Sequence, residues 1–338
     1  MGKAREVVRG AQPPGLAGWS AWKALPLSRP PDAGVLAETL DGGQAFRWHR
    51  ESPPDASDQT PRPSGIWRGI FGDCVVRLTL DPTGTLSWSA PQAIAPHAGE
   101  KLVRYLDLAR DAVTLADSLP WRSDAHLARC LETFRGLQIL RQPFGETLLG
   151  FLCSATKQIV QIKQMLALLA ERHGAVLFSE TPPASRTALA AAPTFTFHRL
   201  PTWAELATVP ETALRACLLG FRARYIHQTA QFLAANPGWL EETETLPYAA
   251  AKERLCSLPG VGEKVADCVL LFGAGRLEAF PVDVWIIKTM EQRYGLQGWK
   301  PAQIAHFGRV HFGPLAGLAQ QYLFAYERRT AKNKVVIP

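Results

Sequence analysis

Lys264, with Asp283 as a charge partner, is the side chain of this chain best placed for covalent chemistry. Lys264 follows the turn Leu-Pro-Gly-Val-Gly at 258–262, between a helical run over 248–257 and an apolar helical run over 265–272. Gly260 and Gly262 can take positive φ and let the backbone approach a ligand, and the unpaired N–H groups opening the second helix suit a phosphate. Lys264 and Cys268 are four apart on one helical face, beside an apolar stripe of Val265, Val269 and Phe272. A lysine drawn into a cleft loses the hydration that favours its ammonium form, and the neutral amine is a carbon nucleophile. Spacing alone also allows a solvated lysine paired with Asp267 at i, i+3. Asp283 follows Pro281-Val282 and precedes an apolar run, the place of a helix N-cap. A carboxylate there is expected to be held ionised by the helix dipole and backbone N–H groups, ready to stabilise a nearby positive charge.

The elements that must position these residues divide the chain in two. Val76, Leu78 and Leu80 alternate with Arg77 and Thr79, a Pro-Thr-Gly turn follows, and Leu86 and Trp88 alternate with serines, which predicts a β-hairpin. Beyond about residue 100 the period becomes helical, clearest over 158–171 and 225–235, with Pro- and Gly-containing breaks at 180–193 and 236–238. The expected plan is α+β: a loose arm over 1–20, a domain containing a small antiparallel β-sheet over 21–130, a helical domain over 131–328 and a basic tail over 329–338. The polar, proline-rich stretch 51–64 reads as a surface loop.

Composition supports a globular, intracellular, soluble protein, cytoplasmic or associated with the nucleoid. The 338 residues are 47% hydrophobic, enough for sizeable cores, and no run reaches the length of a membrane span. A formal net charge of +7 is compatible with a polyanionic partner. Six scattered cysteines without a Cys-x-x-Cys pair argue against a zinc ribbon and a disulfide framework.

With these segments in place, the chain resembles the 8-oxoguanine DNA glycosylase/lyase family of the helix-hairpin-helix (HhH-GPD) DNA glycosylase superfamily. The resemblance spans roughly residues 36–328. It is carried by Asp-Gly-Gly-Gln-Ala-Phe-Arg-Trp at 41–48, Phe-Leu-Cys-Ser at 151–154, Leu-Gly-Phe-Arg-Ala-Arg-Tyr at 219–225, the Lys264 hairpin, Pro-Val-Asp at 281–283 and Gly-Pro-Leu-Ala-Gly-Leu-Ala-Gln at 313–320. The resemblance implies that Lys264 attacks the sugar C1′, forms a Schiff base and nicks the strand by β-elimination, with Asp283 as its carboxylate partner. It implies that the Gly43 carbonyl reads the N7 hydrogen that distinguishes the lesion from guanine. Cys268 and Phe324 would sandwich the flipped base, and Gln320 would read its Watson–Crick edge. Phe221 and Arg222 would fill the gap and meet the orphaned cytosine, while Gly260, Val261 and Gly262 grip phosphate. The implied partner is double-stranded DNA carrying oxidised guanine, bound by a monomer that needs no metal, other cofactor or membrane.

Two departures bear on DNA contacts, the first on opposite-base selectivity and the second on one phosphate contact. Thr156, Lys157, Gln158 and Gln161 stand where relatives often have an Asn run and an Arg that reads the opposite cytosine, and Trp285 replaces a His. Thr156 and Gln161 remain the candidate contacts there, with reduced selectivity expected. The rival readings are an alkylated-purine glycosylase, which would lack Lys264, and a non-catalytic hairpin that only grips DNA. No cysteine follows Cys268, which removes the ligands of the iron–sulfur cluster found in other relatives.

Overall fold

The computed structural model describes residues 18–27, 31–51, 65–180 and 194–335. In chain order these form β1 (Lys23–Ala24), α1 (Ala33–Asp41), β2 (Trp48–Arg50), β3 (Ile66–Phe71), β4 (Cys74–Leu80), β5 (Leu86–Ser89), α2 (Ala95–Tyr105), α3 (Ala112–Asp117), α4 (Ala125–Thr133), α5 (Phe144–Leu152) and α6 (Ile159–His173). A two-stranded ribbon, β6 (Val176–Glu180) and β7 (Phe195–His198), precedes α7 (Trp203–Thr208), α8 (Glu211–Leu214), α9 (Arg222–Ala235), α10 (Trp239–Thr245), α11 (Tyr248–Cys256), α12 (Glu263–Phe272), α13 (Val284–Tyr294), α14 (Pro301–Phe312) and α15 (Ala316–Val335). Among the described residues no helix is long and apolar enough to cross a membrane.

The expected hairpin is β4–β5, with Leu80 opposite Leu86 and Leu78 opposite Trp88. It lies inside a five-stranded antiparallel sheet of order β1-β5-β4-β3-β2. Val76, Leu78 and Leu80 enter a core shared with Ala98, Leu102 and Tyr105 of α2. The alternate residues, which read as a polar face, are buried too. Arg77 is only 5% exposed. Its Nε donates to Glu51 at 2.8 Å, its Nη2 donates to Glu180 at 3.1 Å, and its guanidinium lies 3.9 Å from the Trp19 ring centre. The β6–β7 ribbon and Trp19 therefore cover the second face of the sheet, a long-range cover that local alternation does not reveal.

Three expected boundaries change. The arm ends before Trp19, which is buried and bridges Pro91; residues 1–17 lie outside the described residues. Residue 130 falls inside α4, whose Leu127 and Cys130 pack in the helical core, so a division there cuts an element of the helical unit. The tail from 329 continues α15 to Val335. Most of the expected loop at 51–64 and of the break at 180–193 lies outside the described residues.

The two units interlock. Val35 and Phe46 from the first unit join the helical core, while Leu140 joins the sheet core. Gln44 fastens them: its side chain donates to Gln138 O at 2.9 Å and accepts from Leu140 N at 3.0 Å, and its carbonyl accepts from the Gln142 side chain at 2.7 Å.

Candidate active site

The 258–262 turn joins α11 to α12 as expected. Leu258 and Val261 are buried anchors, and Val261 N donates to Leu258 O at 3.1 Å. That N–H is consumed inside the turn, which removes it as a phosphate donor; Val261 serves the hairpin as a plug. Gly260 has φ of 78°, and a Cβ there would meet the Tyr225 ring at 2.7 Å. Gly262 corrects the expectation, since its φ of −96° is available to any residue and it acts as the N-cap of α12. A Cβ at Gly262 would meet nothing within 4 Å, so the N-terminus of α12 faces open space. Its first N–H groups point there for lack of an earlier turn to receive them.

Half-buried Lys264 stands in the first turn of α12. Its Nζ donates to Ser154 Oγ at 3.5 Å and lies 5.1 Å from the Phe151 ring centre. The i, i+3 pairing with Asp267 does not form. Asp267 instead accepts from the Tyr248 hydroxyl at 2.6 Å and from Lys252 Nζ at 3.0 Å. Burial raises the Asp267 carboxyl above its ordinary value, against the pull of Lys252. Burial likewise pushes the Cys268 thiol up to about 11, with the neighbouring Lys264 ammonium pulling the other way.

Asp283 caps α13 as expected, its Oδ1 accepting from Ile286 N at 2.9 Å. The expected electrostatics are corrected. Desolvation raises its carboxyl above the ordinary range, outweighing the Ile286 N–H bond and the attraction of Lys264. Burial withholds more hydration than the cap and the lysine replace, so the carboxylate is held less firmly than a surface cap would be.

Gly43, with φ of 114°, sits against Ile159 and Phe324; a Cβ there would lie 3.3 Å from Ile159 Cδ1 and 3.7 Å from the Phe324 ring. Gln320 is buried, and its Oε1 accepts from the Gln321 side chain at 2.7 Å. Two groups thus form, Lys264 with Cys268 and Asp283, and Gly43 with Phe324.

A third group gathers at the start of α9. Leu218 and Gly220 have φ of 64° and 58°, a kink that leaves Leu218 and Phe221 each 52% exposed. Arg222 lies 4.4 Å from the Phe221 ring centre and is buried. It donates to Leu219 O at 3.2 Å, to Thr156 Oγ1 at 3.1 Å and to Ala155 O. Arg222 and Thr156 are therefore brought together but hold each other, and the guanidinium Nε is buried without a partner. Gln161 is exposed, and its Oε1 accepts from Gln158 N at 3.1 Å at the start of α6. A Gln three residues after a helix N-cap is a capping signal, and it competes with a role in base reading. Sequence reasoning missed Ser154, Ile159 and Tyr225 as site residues. Tyr225 had a signal, because it lies four residues after Phe221 on one helical face. Among the described residues no cluster of three His, Cys, Asp or Glu could hold a metal ion.

Comparisons with known proteins converge on one family. The family model of the 8-oxoguanine DNA glycosylase N-terminal domain matches residues 30–148, and that of the HhH-GPD superfamily base excision DNA repair proteins matches residues 151–309. The chain is 30% identical to the N-glycosylase/DNA lyase OGG1 of Arabidopsis thaliana, over 88% of this chain and 79% of that protein. It is also 30% identical to a probable N-glycosylase/DNA lyase of Methanothermobacter thermautotrophicus, over 68% of this chain and 75% of that one. The crystal structure of Clostridium acetobutylicum 8-oxoguanine glycosylase/lyase, in complex with double-stranded DNA containing cytosine opposite the lesion, superposes with a TM-score of 0.74 at 27% identity, covering 93% of this chain and 99% of that one. By sequence, by both family models and by fold, the chain belongs to the 8-oxoguanine DNA glycosylase/lyase family of the HhH-GPD superfamily.

Proposed function

We propose that this protein flips 8-oxoguanine out of duplex DNA, excises it and nicks the strand through a Schiff base on Lys264. One observation carries the choice of nucleophile. Lys264 Nζ has a hydroxyl and an aromatic face as neighbours, and among the described residues no carboxylate lies within ion-pair distance of it. The acidic residue that its spacing would pair with it, Asp267, is occupied by Lys252.

In this reading the neutral amine of Lys264 attacks C1′ of the extruded nucleotide. A C–N bond forms as the bond to the base breaks, and the base leaves with the electron pair and takes up a proton. The amine passes a proton to the ring oxygen as the sugar opens to a protonated Schiff base. Loss of a proton from C2′ then expels the 3′ phosphate oxygen, and water releases the lysine. Asp283, as carboxylate, stabilises the positive charge that develops on the sugar. The Gly43 carbonyl accepts from N7–H of the lesion, Phe324 and Cys268 flank the base, and Gln320 reads its edge. Phe221 fills the vacated stack beside Arg222 and Thr156, while Gly260 and the N-terminus of α12 receive phosphate.

Borohydride trapping on a panel of lesion duplexes tests the reading. A covalent adduct is expected with 8-oxoguanine duplexes, lost in Lys264→Gln while duplex binding remains. A trapped adduct in Lys264→Gln would refute the assignment.

A further inference from the structure

α1 ends with two acidic residues, Glu38 and Asp41, in its last turn. Negative charge is disfavoured at that end of a helix, where the dipole is also negative. Each is answered by a cation from a distant element. Asp41 accepts from Lys163 Nζ of α6 at 2.7 Å, and Glu38 accepts from Arg328 of α15 at 2.6 Å. The placement of these cations follows a common pattern. Lys163 is four residues after Ile159, and Arg328 is four after Phe324. Ile159 and Phe324 are the residues that a Cβ on Gly43 would touch. Arg328 also lies 5.5 Å from the Phe324 ring centre. Both helices that wall Gly43 are therefore tied to the end of α1, two residues before Gly43, from the same helical face that meets it.

We propose that the Asp41–Lys163 and Glu38–Arg328 pairs form an ionic clamp that sets Gly43 between Ile159 and Phe324 and so determines how efficiently the enzyme recognises and excises 8-oxoguanine. The inference rests on the reading that Gly43 receives the lesion. These four are positioning residues, acting through Gly43 and Phe324. With one pair cut, α1 stays tied to only one of the two helices that wall Gly43; the Gln44 bonds keep the turn folded, but its distance to the freed helix is no longer fixed and the acceptor drifts from the N7 hydrogen.

The test separates base excision from strand nicking, because a preformed abasic site needs Lys264 but places no base beside Gly43. Asp41→Ala and Lys163→Met are expected to slow single-turnover excision of 8-oxoguanine by roughly ten- to a hundredfold, as small misplacements of a reading group do. Nicking of an abasic duplex by the same variants is expected to be retained, which also reports an intact fold. The reversed pair, Asp41→Lys with Lys163→Asp, restores the tie and most of the excision rate. Full excision in both single variants, an equal loss of nicking, or a reversed pair no better than the single variants would overturn the clamp. An unmodified protein that nicks abasic sites yet leaves 8-oxoguanine in place would overturn the lesion assignment and the clamp with it.

Discussion

Replacing Asp283 separates its cap from its charge. The carboxyl caps α13 through the 2.9 Å bond from Ile286 N, and Asn can accept the same bond. Asp283→Asn thus keeps the cap and removes the charge, whereas Asp283→Ala removes both. A lost cap costs about 1 kcal/mol. In a chain of this size that is about 2 °C of melting temperature, by which Asp283→Ala should fall below Asp283→Asn at every pH. The charge adds a pH-dependent difference from the unmodified protein. Burial raises the folded carboxyl's pKa above its unfolded value. The folded chain therefore holds this proton more tightly, a contribution fully present below the unfolded pKa and lost as pH rises through the folded one. Asp283→Asn should accordingly melt above the unmodified protein at neutral pH, with the advantage vanishing in acid. Excision should behave oppositely, falling about 10²–10³-fold at neutral pH as the stabilising charge is lost. Thermal melts across pH with single-turnover excision on 8-oxoguanine duplexes decide the matter. A melting advantage that grows toward acid, or an unchanged excision rate in Asp283→Asn, would refute the reasoning.

Gly260→Ala should lower the melting temperature and weaken duplex binding together, because positive φ in an L-residue costs roughly 1–2 kcal/mol and the new Cβ meets Tyr225; calorimetry and filter binding check it. Phe221→Ala should lower the melting temperature only slightly, as the ring is half exposed and packs on Arg222 and Tyr225, yet weaken lesion-duplex affinity by the roughly 1–3 kcal/mol of one stacked base, measured by titration. Cytosine opposite the lesion should be preferred by a reduced margin, because Arg222 is occupied by Ala155 and Thr156, and Gln161 by the start of its own helix. Single-turnover excision opposite each of the four bases checks this, and a cytosine margin of about 10³ or more would contradict it.

The features legible in the sequence are those whose cause is local. The Pro-Gly-Val-Gly turn, the apolar period of α12, the Pro-Val-Asp cap and the β4–β5 alternation each declare themselves within about ten residues. The two-part α+β plan follows from the change of period. Features that escape depend on partners far along the chain. Arg77 reads as a solvent-facing residue until Glu180 and Trp19 arrive to cover it. The hold of residues 155 and 156 on the Arg222 guanidinium likewise leaves no sign in the local run Leu-Gly-Phe-Arg. The electrostatics of Asp283 escape for a related reason: the cap is a local property, whereas desolvation depends on the tertiary surroundings of the carboxyl.

The exchange of core residues between the two units has a consequence for synthesis. A nascent chain cannot complete the sheet core until Leu140 has emerged, nor fasten Gln44 until residues 138–142 are out. The helical core in turn waits for Leu323 and Ala325, late in synthesis, while calling on Val35 and Phe46 from much earlier. The first unit therefore passes much of translation with apolar surface uncovered, the condition under which chains aggregate or recruit chaperones. Gln44, next to Gly43, ties the ordering of that loop to the emergence of residues 138–142, so the lesion-reading turn takes shape only when the first helices of the second unit are being made.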